Sequence, residues 1–523
     1  MNYDGNTQEI SLAKASVNAS LSDDIPPGFI LPQSRNIYIH RGGIEPRGGT
    51  SKVNSSALTG GGAGLGGFDF RLYAGTQQNV VATADGKIWK NTTTTIKTGL
   101  NTSAVAAHFV AFRNTLYCSN GYDVPQTWDG AAASTSALAN PAADWSGTNN
   151  PQQMIVRSNQ LSKRILAVGF NGAASREYIY LSATNTDNFV TGVVKLAVDC
   201  SDGIGPVGAV EFGSQALIFS NFSTFYLDDT DPDTANWGVL RSQANLGAAS
   251  FRLICKAENG VYTMMRNGVI GRIGTTNAYG DYQVQYLTDD DLNIKQWIQA
   301  NVDLNYISKF HSIYDADIKA VRFFVVRNGQ TTVDTSLNYN VYTGAWSIDG
   351  NYSYASGFSA ACSFPYEESA GTFKIRTMDY SGYIWKLNQS SKADDGNAYW
   401  AGFRTSMLSD TGGAAGVRYD KYFRRLFPVV VPRGNYTLSI RKFADSTEQD
   451  VSYLSVVYGG AVYGSGIYGI GLYGGEESFE NDYASLRYRA KRTQFEISTN
   501  TAGADWFIPK LLLDSEVLGG RPR

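Results

Sequence analysis

The sequence predicts an all-β chain, a β-propeller with an additional C-terminal β domain. Three observations carry this expectation. Aromatic residues form 13% of the 523-residue chain, mostly as 32 Tyr and 25 Phe, and such side chains suit a pleated, half-buried surface. They are accompanied by 55 Gly and only 14 Pro, the composition of short strands joined by turns that need positive φ. The third observation is a recurring unit: a polar turn, then two or three alternating apolar residues ending in an aromatic.

Clear copies of this unit are Asp85-Gly86-Lys87-Ile88-Trp89, Arg113-Asn114-Thr115-Leu116-Tyr117, Glu258-Asn259-Gly260-Val261-Tyr262 and Asp379-Tyr380-Ser381-Gly382-Tyr383-Ile384-Trp385. Softer copies are Gln215–Phe219, Ser223-Thr224-Phe225-Tyr226-Leu227 and Asn340-Val341-Tyr342-Thr343-Gly344-Ala345-Trp346. Units spaced by tens of residues are how four-stranded blades look in sequence. The spacing favours six blades, and its irregularity leaves seven open. One helix is expected after Thr288-Asp289-Asp290-Asp291, where Ile294, Trp297, Ile298 and Val302 share a face.

Composition changes near residue 400, which divides the chain into a propeller over 1–400 and a C-terminal β-sandwich-like domain over 401–523. Tyr422 to Val431 and Tyr436 to Arg441 read as strands joined by the turn Pro432-Arg433-Gly434-Asn435; Thr493 to Ile497 and Trp506 to Leu512 would complete the sandwich. Between them, in a loop over 457–475, Tyr458, Tyr463, Tyr468 and Tyr473 each precede a glycine at a period of five. That period matches neither strand nor helix. Four large aromatics would be unfavourable to leave clustered in water, so the loop is expected at a distal tip, as a gate or contact ring among symmetric copies.

Several function classes lose support. The formal net charge of −3 disfavours tight gripping of a phosphate backbone. Cys118, Cys200, Cys255 and Cys362 lie far apart, so isolated reduced thiols are expected rather than a zinc ribbon or disulfide framework. With three histidines, His40, His108 and His311, none at metal-site spacing, a zinc hydrolase is disfavoured. The start of the chain lacks a signal-peptide pattern and no apolar run is long enough to span a bilayer, so a soluble, cytoplasmically made protein is expected.

Motifs for chemistry are weak. Thr83 to Trp89 superficially resembles an Asp-box but lacks the residue between Asp and Gly, and reads as a hairpin turn. Gly60 to Gly67 lacks the lysine of a phosphate-binding loop and reads as a flexible turn. The acidic runs Asp228 to Asp233 and Asp289 to Asp291 lack the downstream glutamate of a calcium loop, and read as a solvated turn and a helix cap. Arg487, Arg489 and Lys491 alternate on a strand, with Arg492 beside them; this stripe could meet DNA phosphate or an acidic partner, against the plainer reading of a solvated face. No catalytic residue, metal ligand or cofactor site is assigned.

Ordered segments across most of the chain resemble the tail hub or nozzle proteins of short-tailed bacteriophages, also called packaged-DNA stabilisation proteins. Ser34-Arg35-Asn36-Ile37-Tyr38 followed by Glu45-Pro46-Arg47-Gly48-Gly49 is similar to the family's opening, with Gly48 where Pro is usual. The most specific match is Asn120-Gly121-Tyr122-Asp123-Val124-Pro125-Gln126-Thr127-Trp128. Arg164 to Val168 with Tyr180 to Asn185, Asp202 to Val207 with Ala216 to Tyr226, Leu246 to Ser250, and Asp379 to Trp385 resemble later segments in the same order. The resemblance implies a non-enzymatic virion tail protein, assembled in the host bacterial cytoplasm. It also implies a homohexameric ring below the portal and adaptor, contacts with fibre or spike proteins, and a lumen that passes double-stranded DNA. The alternative is a glycan-binding or glycan-cleaving propeller tail protein, which would need two carboxylates facing across a cleft.

Overall fold

The structure is a computed structural model, and it describes residues 6–20, 25–40, 42–58, 60, 62–159, 162–201, 203–276, 282–289, 294–350, 359–409, 420–456 and 483–518. Seven antiparallel four-stranded sheets form a ring. Blades one to six draw their strands from residues 64–97, 108–137, 151–197, 208–241, 254–286 and 311–350. Blade seven takes three strands from 362–389 and its fourth, Gly49–Lys52, from near the N-terminus. The first strand of each blade lies beside the first strand of the next, and Cys362–Ser369 of blade seven lies beside Gly64–Arg71 of blade one, which closes the circle. The chain is therefore an all-β propeller, with seven blades rather than the favoured six. Spacing undercounted because the seventh sheet is assembled from both ends of the propeller sequence and has only three strands in a row.

The middle strands carry continuous apolar runs in place of strict alternation. Ala320–Val325 (AVRFFV) is buried at every position and Lys163–Phe170 (KRILAVGF) at all but the first. A strand covered on both faces by neighbouring blades buries successive residues in either direction, so it reads as a continuous apolar run. Trp346 and Trp385 are almost fully buried between blades, and each large apolar side chain so placed stabilises by roughly 1.5–3 kcal/mol. Ile294–Asn301 is the only α-helix among the described residues, and it buries Ile294, Trp297 and Ile298 on the face the sequence indicates.

Two further sheets make a sandwich. One runs Ile37–His40, Gly43–Pro46, Trp506–Val517, Lys421–Pro432, Ala484–Ala490, with Asn6–Ser11 also paired to Trp506–Val517; the other runs Ala401–Arg404, Thr493–Thr499, Tyr436–Ala444, Thr447–Val456. The rings of Phe403 and Trp506 meet across them at 6.3 Å. Here the N-terminus departs from the sequence partition, since residues 6–11 and 37–46 belong with the C-terminal strands. Lys421–Pro432 and Tyr436–Ala444 are strands but not a hairpin: the chain crosses between sheets at the turn, and each pairs elsewhere.

The sandwich shares one apolar core with blades six and seven, running from Phe323, Leu337 and Trp385 to Leu438, Phe495 and Trp506. Main-chain bonds from Val17 N to Trp346 O and from Asn36 N to Ile348 O, both 3.0 Å, lace the N-terminal segment to the outer strand of blade six. Strands Ala484–Ala490 and Thr447–Val456 lie at the edges away from the propeller.

Candidate functional site at the propeller axis and the outer basic strand

Glycines set how closely the inner strands converge. A Cβ on Gly66 would lie 2.1 Å from Ala107 O, and one on Gly67 would lie 2.3 Å from the Phe364 ring, so neither position has room for a side chain. Gly64–Arg71 is thus an inner strand, not the flexible turn expected from the Gly-rich run. The inner strands leave an axial cavity of about 290 Å³, lined by residues that include His108, Gln153, Phe251, Arg252, His311 and Ser363.

Arg252 bridges its mouth. From the segment before blade five its guanidinium donates to Val105 O (3.4 Å), before blade two, and to Ala361 O, before blade seven. The Phe251 ring meets His108 edge-on at 5.7 Å, so blades two and five touch across the axis. His311 stacks on Phe324 at 4.6 Å and its Nε2 lies 2.9 Å from Ser363 Oγ. Burial pushes the His108 pKa down to about 4. Burial, and then the neighbouring Arg252 charge, hold His311 well below the usual imidazole value. Both rings are neutral near pH 7, which leaves Arg252 as the charged group of a cavity whose lining contains no carboxylate.

Several buried carboxylates elsewhere are engaged by arginines. Arg157 holds Asp229 (Nη2–Oδ1 2.8 Å), Arg322 holds Asp315 (2.8 Å) and Asp349 (3.2 Å), and Arg47 holds Asp394. In the run from Asp228 to Asp233, Asp229 is thus an ion-pair partner and Asp233 caps a short 3-10 turn through Ala235 N. Among the described residues no group of three or more His, Cys, Asp or Glu side chains converges as a metal site. All four cysteines are buried. Asp85 lies in the turn between paired strands Gln77–Thr83 and Lys87–Lys90, bonded to Thr83 Oγ1 at 2.5 Å.

The basic residues are only partly brought together. Arg487 and Arg489 are exposed on Ala484–Ala490, but Lys491 and the half-buried Arg492 form the tight turn that follows. Asp445 clamps that turn by accepting the Lys491 and Arg492 main-chain N–H groups at 3.2 and 2.9 Å. Arg487 has φ +49 at a register shift opposite Phe423 and Arg425, yet Arg487 and Arg489 keep to the exposed face, as the alternation in the sequence suggests. The adjacent strand adds Arg424, paired with Glu516, and Arg425, whose guanidinium lies 4.7 Å from the Tyr483 ring. Sequence reading missed these two because they sat inside a strand read only for its apolar residues. Tyr458, Tyr463, Tyr468 and Tyr473 lie outside the described residues.

The most specific resemblance segment forms the link between the second and third strands of blade two. Asn120 Oδ1 accepts the N–H groups of Tyr122 (3.0 Å) and Asp123 (2.9 Å), its Nδ2 donates to Asp123 Oδ2 (2.7 Å), and Gly121 adopts φ +82. Trp128 is buried and donates to Ala132 O at 2.8 Å. The sequence Asn-Gly-x-Asp…Trp is therefore a self-bonded turn that anchors a blade tryptophan.

No family model and no curated protein matches this sequence. Solved structures similar in shape include BBS1N in complex with ARL6DN (12% identity, TM-score 0.40, 68% of this chain and 98% of that one). YCF48 from Cyanidioschyzon merolae gives 10% identity and TM-score 0.38 over 65% of this chain and 99% of that one. AFV00434, an ancestral GH74 enzyme, gives 11% identity and TM-score 0.40 over 75% and 53%.

Proposed function

We propose that the chain is a non-enzymatic structural protein of a short-tailed phage tail. Copies of this nozzle or hub would ring a channel that retains packaged DNA and lets it leave, docking an adaptor above and fibre or spike proteins at its sides. The observation that carries the structural part of this reading is the use of buried charge: Arg47–Asp394 and Arg157–Asp229 each join distant segments, Arg322, held by Asp315, reaches Tyr38 and Asn388, and the axial cavity is lined without a carboxylate. Glycoside hydrolysis needs two carboxylates facing across a cleft. The phage part rests on the ordered resemblance, whose most specific segment is a blade turn.

The geometry also constrains how such a channel would be built. Each propeller axis is bridged by Arg252 and by the His108–Phe251 contact, so a duplex would pass between copies and not through one propeller. The exposed Arg487 and Arg489 on an outer strand are candidates for contact with DNA phosphate or an acidic partner.

The test has two arms. Imaging of assembled particles by electron microscopy is expected to place a six-fold ring of this chain below the adaptor. Purified protein incubated with host-type surface polysaccharide is expected to release no reducing ends. Release that is abolished by one carboxylate substitution would sink the structural reading in favour of a glycan-cleaving propeller.

A further inference from the structure

We infer that the axial cavity is a binding site for a small oxyanion, held between Arg252 and Gln153. A guanidinium carries five N–H donors and keeps its charge in proteins. Arg252 directs donors at two backbone carbonyls, Val105 O and Ala361 O, and no carboxylate among the described residues forms an ion pair with it. Burial lowers its pKa, the physical sign of a cation short of compensation, and a half-buried charge in that state is stabilised by any anion that reaches it.

Gln153 supplies the second, independent observation. It is 6% exposed and lines the same cavity. Its side-chain oxygen accepts Ala209 N–H at 2.7 Å, which fixes the orientation of the amide and leaves its NH2 group without a hydrogen bond among the described residues. An NH2 donor that lines the cavity and lacks a protein acceptor is available to an entering oxygen. A phosphate or carboxylate would satisfy it and neutralise Arg252 together. The neutral His108 ring adds a polar edge, and Phe251, which packs on His108, supplies an apolar wall. A cavity of about 290 Å³ suits an ion or one acidic sugar unit, not a polymer.

The experiment is calorimetric titration of the full-length chain with inorganic phosphate, glucuronate and glucose as separate probes. Saturable binding of phosphate, glucuronate or both is expected, and which of them binds separates a phosphoryl from a carboxylate ligand. Arg252→Gln should weaken binding roughly tenfold or more, the value of a charge-assisted hydrogen bond; Gln153→Leu should weaken it several-fold, and Lys256→Gln, on the exposed side of the same blade, should leave it unchanged. Gln153→Leu keeps the Arg252 bridge and decides the matter should Arg252→Gln fail to fold. Absence of saturable binding, glucose binding as tightly as glucuronate, or full affinity in Gln153→Leu would overturn the assignment.

Discussion

Arg47 and Asp394, 347 residues apart in sequence, form a buried two-point ion pair with Nη1–Oδ1 at 2.9 Å and Nη2–Oδ2 at 2.5 Å. Arg47 also donates to Asn36 Oδ1 at 3.0 Å and lies 4.1 Å from the Tyr399 ring. It therefore fastens the N-terminal arm to the segment leaving blade seven, beside the strand that closes the ring. Removing one partner strands the other charge in a dry site, which costs about 3–5 kcal/mol. Arg47→Leu should destabilise the fold by about that amount in chemical denaturation, and Arg47→Leu with Asp394→Leu by clearly less. Additive losses in the double variant would show that the pair is not coupled.

The ring should not close without its N-terminal strand. Gly49–Lys52 supplies the outer strand of blade seven, and Asn6–Ser11 and Ile37–His40 cover the sandwich. A chain beginning at residue 53 is expected to lose cooperative unfolding and to aggregate in size-exclusion chromatography, because both blade seven and the sandwich are left with unpaired edges. A monomeric truncation with an unchanged melting transition would refute this.

Acid should weaken the fold in two windows. His108 and His311 are held neutral in the folded state, with pKa values below the reference of about 6.5. Below that value the unfolded chain binds protons the folded chain refuses. Stability is then complete above about 6.5 and falls as pH drops toward 4. At pH 5 the loss is already expected from both rings, and more from the buried His311 than from the half-buried His108. Burial alone would raise Glu45, but His40, Lys392 and Arg433 hold it down at about 2; its contribution is lost only as pH falls from about 4.5 toward 2. Denaturant midpoints at pH 7.5, 5 and 3.5 would separate the windows, and His311→Gln should flatten the first.

Charge reversal at the outer strand should separate folding from assembly. Arg487→Glu with Arg489→Glu changes exposed side chains, so monomer stability should move by less than about 0.5 kcal/mol per site. Particles carrying the pair are expected to lose packaged DNA or to lack completed tails. Infectious particles that keep their genomes would remove this strand from the proposed function.

The sequence by itself determined the all-β class, the change of composition near residue 400 and the one helix, because local periodicity and turn chemistry act over a few residues. Asp85-Gly86 and Asp379 to Gly382 were legible as turns for that reason. Their side chains bond the adjacent backbone or neighbouring side chains, as Asp379 does with Ser381 N and Tyr383 N at 2.8 and 2.9 Å. What only the tertiary structure decided are the relationships between distant segments: the seventh blade completed by Gly49–Lys52, the crossing of Lys421–Pro432 and Tyr436–Ala444 into different sheets, the register shift between Lys421–Pro432 and Ala484–Ala490, and the bridge from Arg252 to Ala361 across the axis. Each depends on which strand lies beside which. Strand pairing buries similar apolar residues whichever partner is chosen, so the choice is made by ring closure and by packing of the whole core, and no local pattern records it.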